Sequence, residues 1–160
     1  MQRDGRLPVV TSANCLQPDG QNDNAWDQGL LFMNPERVWS QPPGYVTQMI
    51  SRNYLPLVVR CETSVRDLDV CATRSEDGRS LVLQAVNTTD DPMTLPLAIS
   101  GFTPTKSVAQ VSTLEGPLDA RNTANAPETI KPSMRDWKHS LIDGRTIIAF
   151  SARSFTVVRW

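Results

Sequence analysis

The stretch Leu81-Val82-Leu83-Gln84-Ala85-Val86-Asn87 decides the fold class of this chain. Its apolar residues alternate between two sides with a period of two, which is typical of a β-strand. Leu95, Leu97 and Ile99 alternate in the same way and predict a second strand. The same kind of pattern predicts further strands over 57–63, 66–73, 106–114, 145–150 and 153–159. Short strands separated by turns such as Asp77-Gly78 are typical of an antiparallel β-sandwich.

This sandwich is predicted to bury one apolar set from its strands. The expected core residues are Leu81, Leu83, Leu95, Leu97, Ile99, Ile147, Phe150, Phe155 and Val157. Pro96 cannot donate a ladder hydrogen bond, so we expect it at a sheet edge or a bulge. The stretch 116–140 is rich in Pro, Asn, Asp and Lys, which predicts a long crossing loop.

The first third of the chain has a different pattern. Leu7 to Ala13 is short and apolar without alternation, which is typical of a buried parallel strand. Residues 15–41 are predicted to form a loop, except for a short element at 30–33. Pro42-Pro43 then begin a helix that ends at Asn53, since proline fits the first turn. Residues 1–54 are thus one βα unit and 55–160 the sandwich.

A single βα unit cannot bury its own strand, because its helix covers only one face. We therefore expect the N-terminal unit to pack on the sandwich, to pair with a second copy of the chain, or to be mobile. Self-association is the outcome that a contiguous apolar surface favours.

Composition excludes several classes of function. The net charge of the 160 residues is −1, so no electrostatic attraction to nucleic acid or an anionic membrane is expected. No apolar run approaches the roughly 20 residues that a membrane-spanning helix needs. Met1 to Arg6 are polar and contain no signal-peptide core, and the cellular compartment is left undetermined.

Cysteine and histidine positions indicate no metal site. Cys61 and Cys71 could form a disulfide across a hairpin, but the odd count, with Cys15, favours three free thiols packed as small apolar residues. His139 is the single histidine and has no second ligand nearby, so it is predicted to be a surface residue. No cofactor motif is present.

A polar loop surrounds Trp26. Its side chains are largely amides and carboxylates, including Asn14, Gln17 and Gln28. An indole ring can stack on the apolar face of a sugar while amides bond its hydroxyls. On composition alone, a merely solvated polar loop explains the same residues.

The carboxylates do not indicate a glycosidase by themselves. A retaining glycosidase needs two carboxyl groups roughly 5–5.5 Å apart. The glutamates of this chain are Glu36, Glu62, Glu76, Glu115 and Glu128. None is predicted to end a buried strand beside a partner carboxylate, so no catalytic residue is assigned.

Several segments together resemble one known family. They are 14–23 (Asn-Cys-Leu-Gln-Pro-Asp-Gly-Gln-Asn-Asp), 26–32, Gln41-Pro42-Pro43-Gly44-Tyr45-Val46, 81–87, 118–123, Ile130-Lys131-Pro132 and Ser154-Phe155-Thr156-Val157. In this order and spacing they resemble the end of the barrel and the C-terminal sandwich of glycoside hydrolase family 51 α-L-arabinofuranosidases. The likeness covers nearly the whole chain.

The resemblance implies a mainly β fold, an antiparallel jelly-roll-like β-sandwich preceded by a single βα unit from the end of a (β/α)8 barrel. It also implies a site at the carboxyl end of the last barrel strand, where barrel enzymes keep their active sites. In the family a Gln on this loop hydrogen-bonds the arabinofuranosyl unit. Gln28 resembles that residue, Trp26 would line the pocket, and Asn14 is the third candidate substrate-binding residue.

The chain departs from the family at the catalytic residues. The family's acid/base Glu follows an Asn, and this sequence contains no Asn-Glu pair. The nucleophile also belongs to earlier barrel strands, and a barrel needs about 250 residues. The resemblance thus implies an accessory C-terminal fragment that is not catalytic alone and lacks its barrel partner. The family's sandwich also borrows strands from the start of the full enzyme, which would leave one sheet here incomplete.

Two other functions compete with this one. The chain could be a free-standing carbohydrate-binding module that uses Trp26 and its neighbours. It could also be a structural domain whose role is to pack against a barrel. Binding of arabino-oligosaccharides distinguishes the module from the other two.

Overall fold

The computed structural model describes residues 14–21 and 28–160. Two sequence predictions lie outside these residues: the strand Leu7–Ala13 and the candidate ligand contact Trp26. In chain order the elements are β1 (Leu16–Pro18), β2 (Leu31–Met33), β3 (Val38–Ser40), α1 (Pro42–Arg52), β4 (Leu57–Val59), β5 (Leu68–Arg74), β6 (Leu81–Asn87), β7 (Met93–Ala98), β8 (Val108–Glu115), β9 (Ser133–Lys138), β10 (Arg145–Phe150) and β11 (Ser154–Arg159).

Two antiparallel sheets form the body of the protein. The larger has six strands in the order β4-β5-β6-β11-β8-β9, and the smaller pairs β10 with β7. The mainly β, jelly-roll-like sandwich predicted from the sequence is therefore confirmed. Within the described residues β7 has one strand neighbour, so Pro96 lies on an edge strand, as expected.

The six-stranded sheet is apolar on both faces. Its inner face packs on β7 and β10, where Leu83, Val111 and Val158 meet Ile148 and Phe150 in one cluster. Val82 and Val157 belong to a second cluster on the outer face, together with Met49 of α1. Because neighbouring residues of a strand point to opposite faces, β6 and β11 contribute to both clusters.

The helix α1 covers the outer face, and its start and end agree with the prediction. Prolines occupy its first turn, and the Asn53 side chain donates to the Met49 carbonyl at its end. A Cβ at Gly44 would overlap the carbonyl oxygen of Leu30, so glycine permits the close approach of the helix to the preceding chain. The described part of the N-terminal unit thus packs on the sandwich, the first of the three expected outcomes.

The region 15–41 contains more structure than predicted. Strand β2 pairs in parallel with β1 and antiparallel with β3, which gives a small three-stranded sheet. Its buried face carries Gln17, Phe32 and Trp39, which lie side by side in register. Each strand is three residues long, too short for a period-two pattern to be recognised.

The predicted crossing loop 116–140 is wrong in its last part. Strand β9 pairs antiparallel with β8 and forms one edge of the six-stranded sheet. Its residues Ser133 to Asp136 are all exposed, so no buried alternation marks the strand in the sequence.

The predicted core is correct for one group of residues and wrong for Ile147. Ile147 is 66% exposed, whereas Ile148 is 3% exposed and packs in the inner cluster. Ile147 and Phe150 cannot share a face, because they are three positions apart on one strand. The remaining predicted residues divide into buried Leu81, Leu83, Phe150 and Val157, and half-buried Leu95, Leu97, Ile99 and Phe155.

His139 is also not the surface residue that was predicted. It is 5% exposed and its ring packs edge-on against Trp137. Its Nδ1 accepts from the Leu141 amide at 3.2 Å, which leaves Nε2 to donate to the Lys106 carbonyl at 2.9 Å. The burial is tolerated because both ring nitrogens are hydrogen-bonded. None of the three cysteines forms a disulfide, as the sequence favoured. Cys61 and Cys71 are half-buried, but Cys15 is exposed, so its predicted packing as a small apolar residue is wrong.

Asn122 joins the long loop after β8 to the start of α1. It is 2% exposed, and its Nδ2 donates to the carbonyls of Ser40 and Ile130 at 2.8 Å each. Its Oδ1 accepts from the Ile130 amide at 2.8 Å. The Gln41 side chain bonds the Asn122 backbone twice, through its Nε2 to the carbonyl at 2.7 Å and its Oε1 to the amide at 3.1 Å.

The orientation of β10 gives a first prediction. Replacing Ile148 with Ala should lower the free energy of unfolding by about 2–5 kcal/mol, since transfer and cavity terms add. The matched change Ile147→Ala removes an exposed side chain and should cost less than about 1 kcal/mol. Urea denaturation of both variants measures the difference. Equal losses at the two sites would contradict this orientation of β10.

The Asn122 junction gives a second prediction. Asn122→Ala removes a side chain with three hydrogen bonds and leaves buried carbonyls unpaired, so it should cost about 3 kcal/mol or more. Asn125→Ala, an exposed asparagine of the same loop, should change stability by less than about 0.5 kcal/mol. Thermal unfolding by circular dichroism compares the two. A near-neutral Asn122→Ala would mean that the junction does not hold these segments together.

Candidate functional site

A cleft of about 430 Å³ opens between the start of α1 and the loop that follows β8. One wall is the chain around Gln28 with the first residues of α1, and the other is the segment 115–121. The floor is apolar and comes from Phe32, Leu114 and Phe155. Leu118, at the outer wall, is 84% exposed. Such a surface can take the apolar face of a ring-shaped ligand, with polar groups at the rim.

The polar groups of the cleft are amides, two arginines and one carboxylate. They are Gln28, Gln41, Glu115, Arg121 and Arg153. The Arg153 guanidinium donates to the Asp90 carboxylate at 2.5 Å. This hydrogen bond lowers the pKa of Asp90 and raises the pKa of Arg153, because it favours the charged form of each group.

Gln28 is exposed at the rim of the cleft, and its backbone amide is hydrogen-bonded to the buried side chain of Gln17. The Oε1 atom of Gln17 accepts from the amides of Gln28 at 3.2 Å and Gly29 at 3.0 Å. A Cβ added at Gly29 would stand 2.7 Å from the Gln17 Cβ and from Phe32 Cε1. Only glycine therefore fits where the chain crosses Gln17.

Two of the three predicted contacts lie within the described residues, and of these Gln28 lines the cleft. Asn14 is exposed, has a φ of 55°, and does not belong to the lining; its carbonyl accepts from the Leu30 amide at 3.2 Å. Trp26 lies outside the described residues.

The sequence analysis did not identify several residues that line the cleft, nor Asn122, which holds one of its walls in place. Gln41, Leu118 and Arg121 enter the lining only because Asn122 brings its loop against α1. No local pattern distinguishes them from ordinary loop residues. Asn122 and Gln41 did belong to segments that carried the family resemblance, which was the available signal.

The described residues provide little catalytic chemistry at this place. Glu115 is the only carboxylate in the lining of the cleft as described, whereas a retaining glycosidase needs two. No group of three or more His, Cys, Asp or Glu suited to a metal ion occurs among the described residues. The one helix found there is too short and too polar to cross a membrane.

The family of the chain follows from a sequence model. The model of the α-L-arabinofuranosidase C-terminal domain matches residues 14–154. This range contains the small sheet with Gln28, α1 and the sandwich up to the start of β11. No curated protein matches the chain in sequence.

Solved structures give the same fold. The GH51 α-L-arabinofuranosidase of Thermotoga petrophila RKU-1 is similar with a TM-score of 0.72 at 21% identity, and the Thermotoga maritima enzyme, an arabinose complex, with 0.71 at 22%. In each case 83% of this chain is covered and 31% of the other. The catalytic domain of GH30 xylanase C from Talaromyces cellulolyticus has a TM-score of 0.63 at 21% identity, with 90% of this chain and 28% of that one covered.

At these identities the structural likeness shows the fold alone, and a xylanase shares it. The chain spans about a third of the length of the Thermotoga enzymes that it matches. The family model distinguishes the arabinofuranosidases from the xylanase, because it matches the sequence over most of the chain. The protein belongs to the family of α-L-arabinofuranosidase C-terminal domains.

Proposed function

We propose that this chain is the C-terminal accessory part of an α-L-arabinofuranosidase that acts on arabinose-containing polysaccharides, and that it is not catalytic by itself. The observation that carries this proposal is the match of the family model to residues 14–154. Among the described residues of the cleft there is a single carboxylate, which supports the second half, because glycoside hydrolysis by a retaining enzyme needs a pair. In a complete enzyme, both catalytic glutamates would come from barrel strands.

Within this function, Gln28 would hydrogen-bond the arabinofuranosyl unit, with Trp26 and Asn14 beside it. The exposed Gln28 amide offers two donors and an acceptor to sugar hydroxyls. The apolar floor next to it suits the C–H face of a sugar. Asn14 is tied to Leu30, two residues after Gln28, and so belongs to the same local framework.

The partner that fits this proposal is the missing barrel domain. On the outer face of the six-stranded sheet, exposed apolar side chains remain on both sides of α1. Val58 is 46% exposed and lies in the same cross-strand row as Val82, on the same face of the sheet. Met134 is 64% exposed and lies in the same cross-strand row as Val157. A barrel that covers these flanks would bury them, and residues 1–54 would be its last βα unit, with 55–160 as the sandwich. Self-association of the isolated chain through the same surface is the competing outcome.

A carbohydrate-binding module is the second candidate. The observation that favours it is that residues of this chain line the cleft beside Gln28 with an apolar floor and polar groups at the rim. A module would bind arabinose-containing oligosaccharides in isolation, whereas an accessory part would need its barrel for strong binding.

The isolated chain should not hydrolyse an aryl α-L-arabinofuranoside. The reason is that the part of the cleft that the structure describes contains one carboxylate and no pair. Release of the aryl group measured against a buffer blank and against a Glu115→Gln variant tests this. Turnover that survives repurification and is lost in Glu115→Gln would overturn the accessory assignment and identify Glu115 as catalytic.

Binding separates the two functions and tests Gln28. Chemical-shift titration with arabino-oligosaccharides should show weak binding, with the largest changes at the residues that line the cleft. Gln28→Ala should weaken it by about tenfold or more through the loss of its hydrogen bonds. Gln48→Ala, on the exposed side of α1, should leave it unchanged. Micromolar affinity would favour the module, and shifts away from the cleft would contradict the assignment of Gln28.

A further inference from the structure

We propose that Gln17 is a positioning residue that holds Gln28 in its sugar-binding orientation by extending the small sheet with a side-chain carbonyl. This inference rests on the proposed function for its biological meaning. Its physical content, the control of the Gln28 backbone by Gln17, is independent of any ligand.

The backbone pairing of β1 with its neighbour stops short of the cleft. Cys15 accepts from the Leu31 amide at 2.9 Å and Asn14 accepts from the Leu30 amide at 3.2 Å. These are the first two amides of this segment that reach a backbone acceptor of the neighbouring strand. The two preceding amides, those of Gln28 and Gly29, lie beyond the ladder and bond the Gln17 side chain instead.

Gln17 is suited to replace the missing ladder acceptor. It is 5% exposed, and it lies in the middle of β1 beside Phe32 of β2. One oxygen, its Oε1, receives two successive amides at 3.2 and 3.0 Å. An acceptor that binds two neighbouring N–H groups fixes the orientation of the peptide unit between them. This peptide unit joins Gln28 to Gly29, and its orientation determines where the Gln28 side chain lies at the rim of the cleft.

Gly29 provides the space that this arrangement needs. A Cβ there would meet Gln17 and Phe32 at 2.7 Å, so the chain lies directly on the Gln17 side chain. If the acceptor is removed, two amides lose their partner, and they can regain one only by turning toward water. That turn would move the Gln28 side chain away from the cleft.

The experiment compares Gln17→Leu with Gln17→Glu. Leucine has a similar volume and no acceptor, whereas glutamate keeps an acceptor oxygen at the same position, replaces the amide donors with a second oxygen and adds a negative charge. Asn87→Leu is the matched control. It removes a buried amide, 1% exposed, that bonds the Asp91 and Ser151 carbonyls and takes no part in the contact between Gln17 and Gln28.

The first readout is amide hydrogen exchange measured by NMR without ligand. In the unmodified chain, the Gln28 and Gly29 amides should exchange at least about tenfold more slowly than unstructured amides. Gln17→Leu should abolish this protection while the amides of β6 and β11 stay protected, and Gln17→Glu should restore it. Asn87→Leu should leave it intact. Unprotected Gln28 and Gly29 amides in the unmodified chain would overturn the proposal, even if Gln17→Leu does not fold.

The second readout is titration with arabino-oligosaccharide. Gln17→Leu should weaken binding about as much as Gln28→Ala, and Gln17→Glu should recover most of it. Slow exchange together with unaltered affinity in Gln17→Leu would overturn the positioning role in binding. If the unmodified chain binds no sugar but its two amides are protected as expected, the proposed substrate is wrong while the control of Gln28 by Gln17 stands.

Discussion

The amide of Asn122 is the contact on which the arrangement of the cleft depends. This side chain, together with its own backbone, meets the end of β3, the residue before α1 and the end of the loop at Ile130. Every hydrogen-bonding atom of its side chain is used, and the residue is 2% exposed. Because a buried unpaired amide is costly, the three segments have essentially one way to fit together. The arrangement of these three segments sets the distance between the two walls of the cleft.

The second constraint is the six-stranded sheet with two apolar faces. A sheet of this kind needs a layer on each side. β7 and β10 provide one layer and α1 provides part of the other, which explains why an N-terminal helix is integrated into a β-sandwich. Within residues 14–21 and 28–160, neither layer is wide enough to cover six strands. The exposed Val58 and Met134 beside α1 are the consequence.

Buried polar side chains define local geometry elsewhere as well. Asn87 bonds the turn after β6 to the end of β10, His139 joins the segment at Lys106 to the turn before β10, and Gln17 supports the chain at Gln28. Each one hydrogen-bonds a segment that lies outside the strand ladders. In a sandwich, the strands are ordered by their ladders, whereas a loop takes a single conformation only where a side chain supplies the hydrogen bonds that a ladder would otherwise provide.

The sequence by itself determined the class of fold, the position of α1 and most of the long strands, because these follow from local periodicity and from prolines. Its segments in order also indicated the family, and one of them contained Gln28. The face of Ile147, the strand β9 and the burial of His139 were decided only by the tertiary structure. In each case the deciding partner is distant in sequence. It is the inner face of the larger sheet for the strand of Ile147, β8 for β9, and the Lys106 carbonyl for His139. The cleft is also a tertiary feature, since Gln41 and Asn122 meet across about 80 residues, a contact that no local pattern encodes.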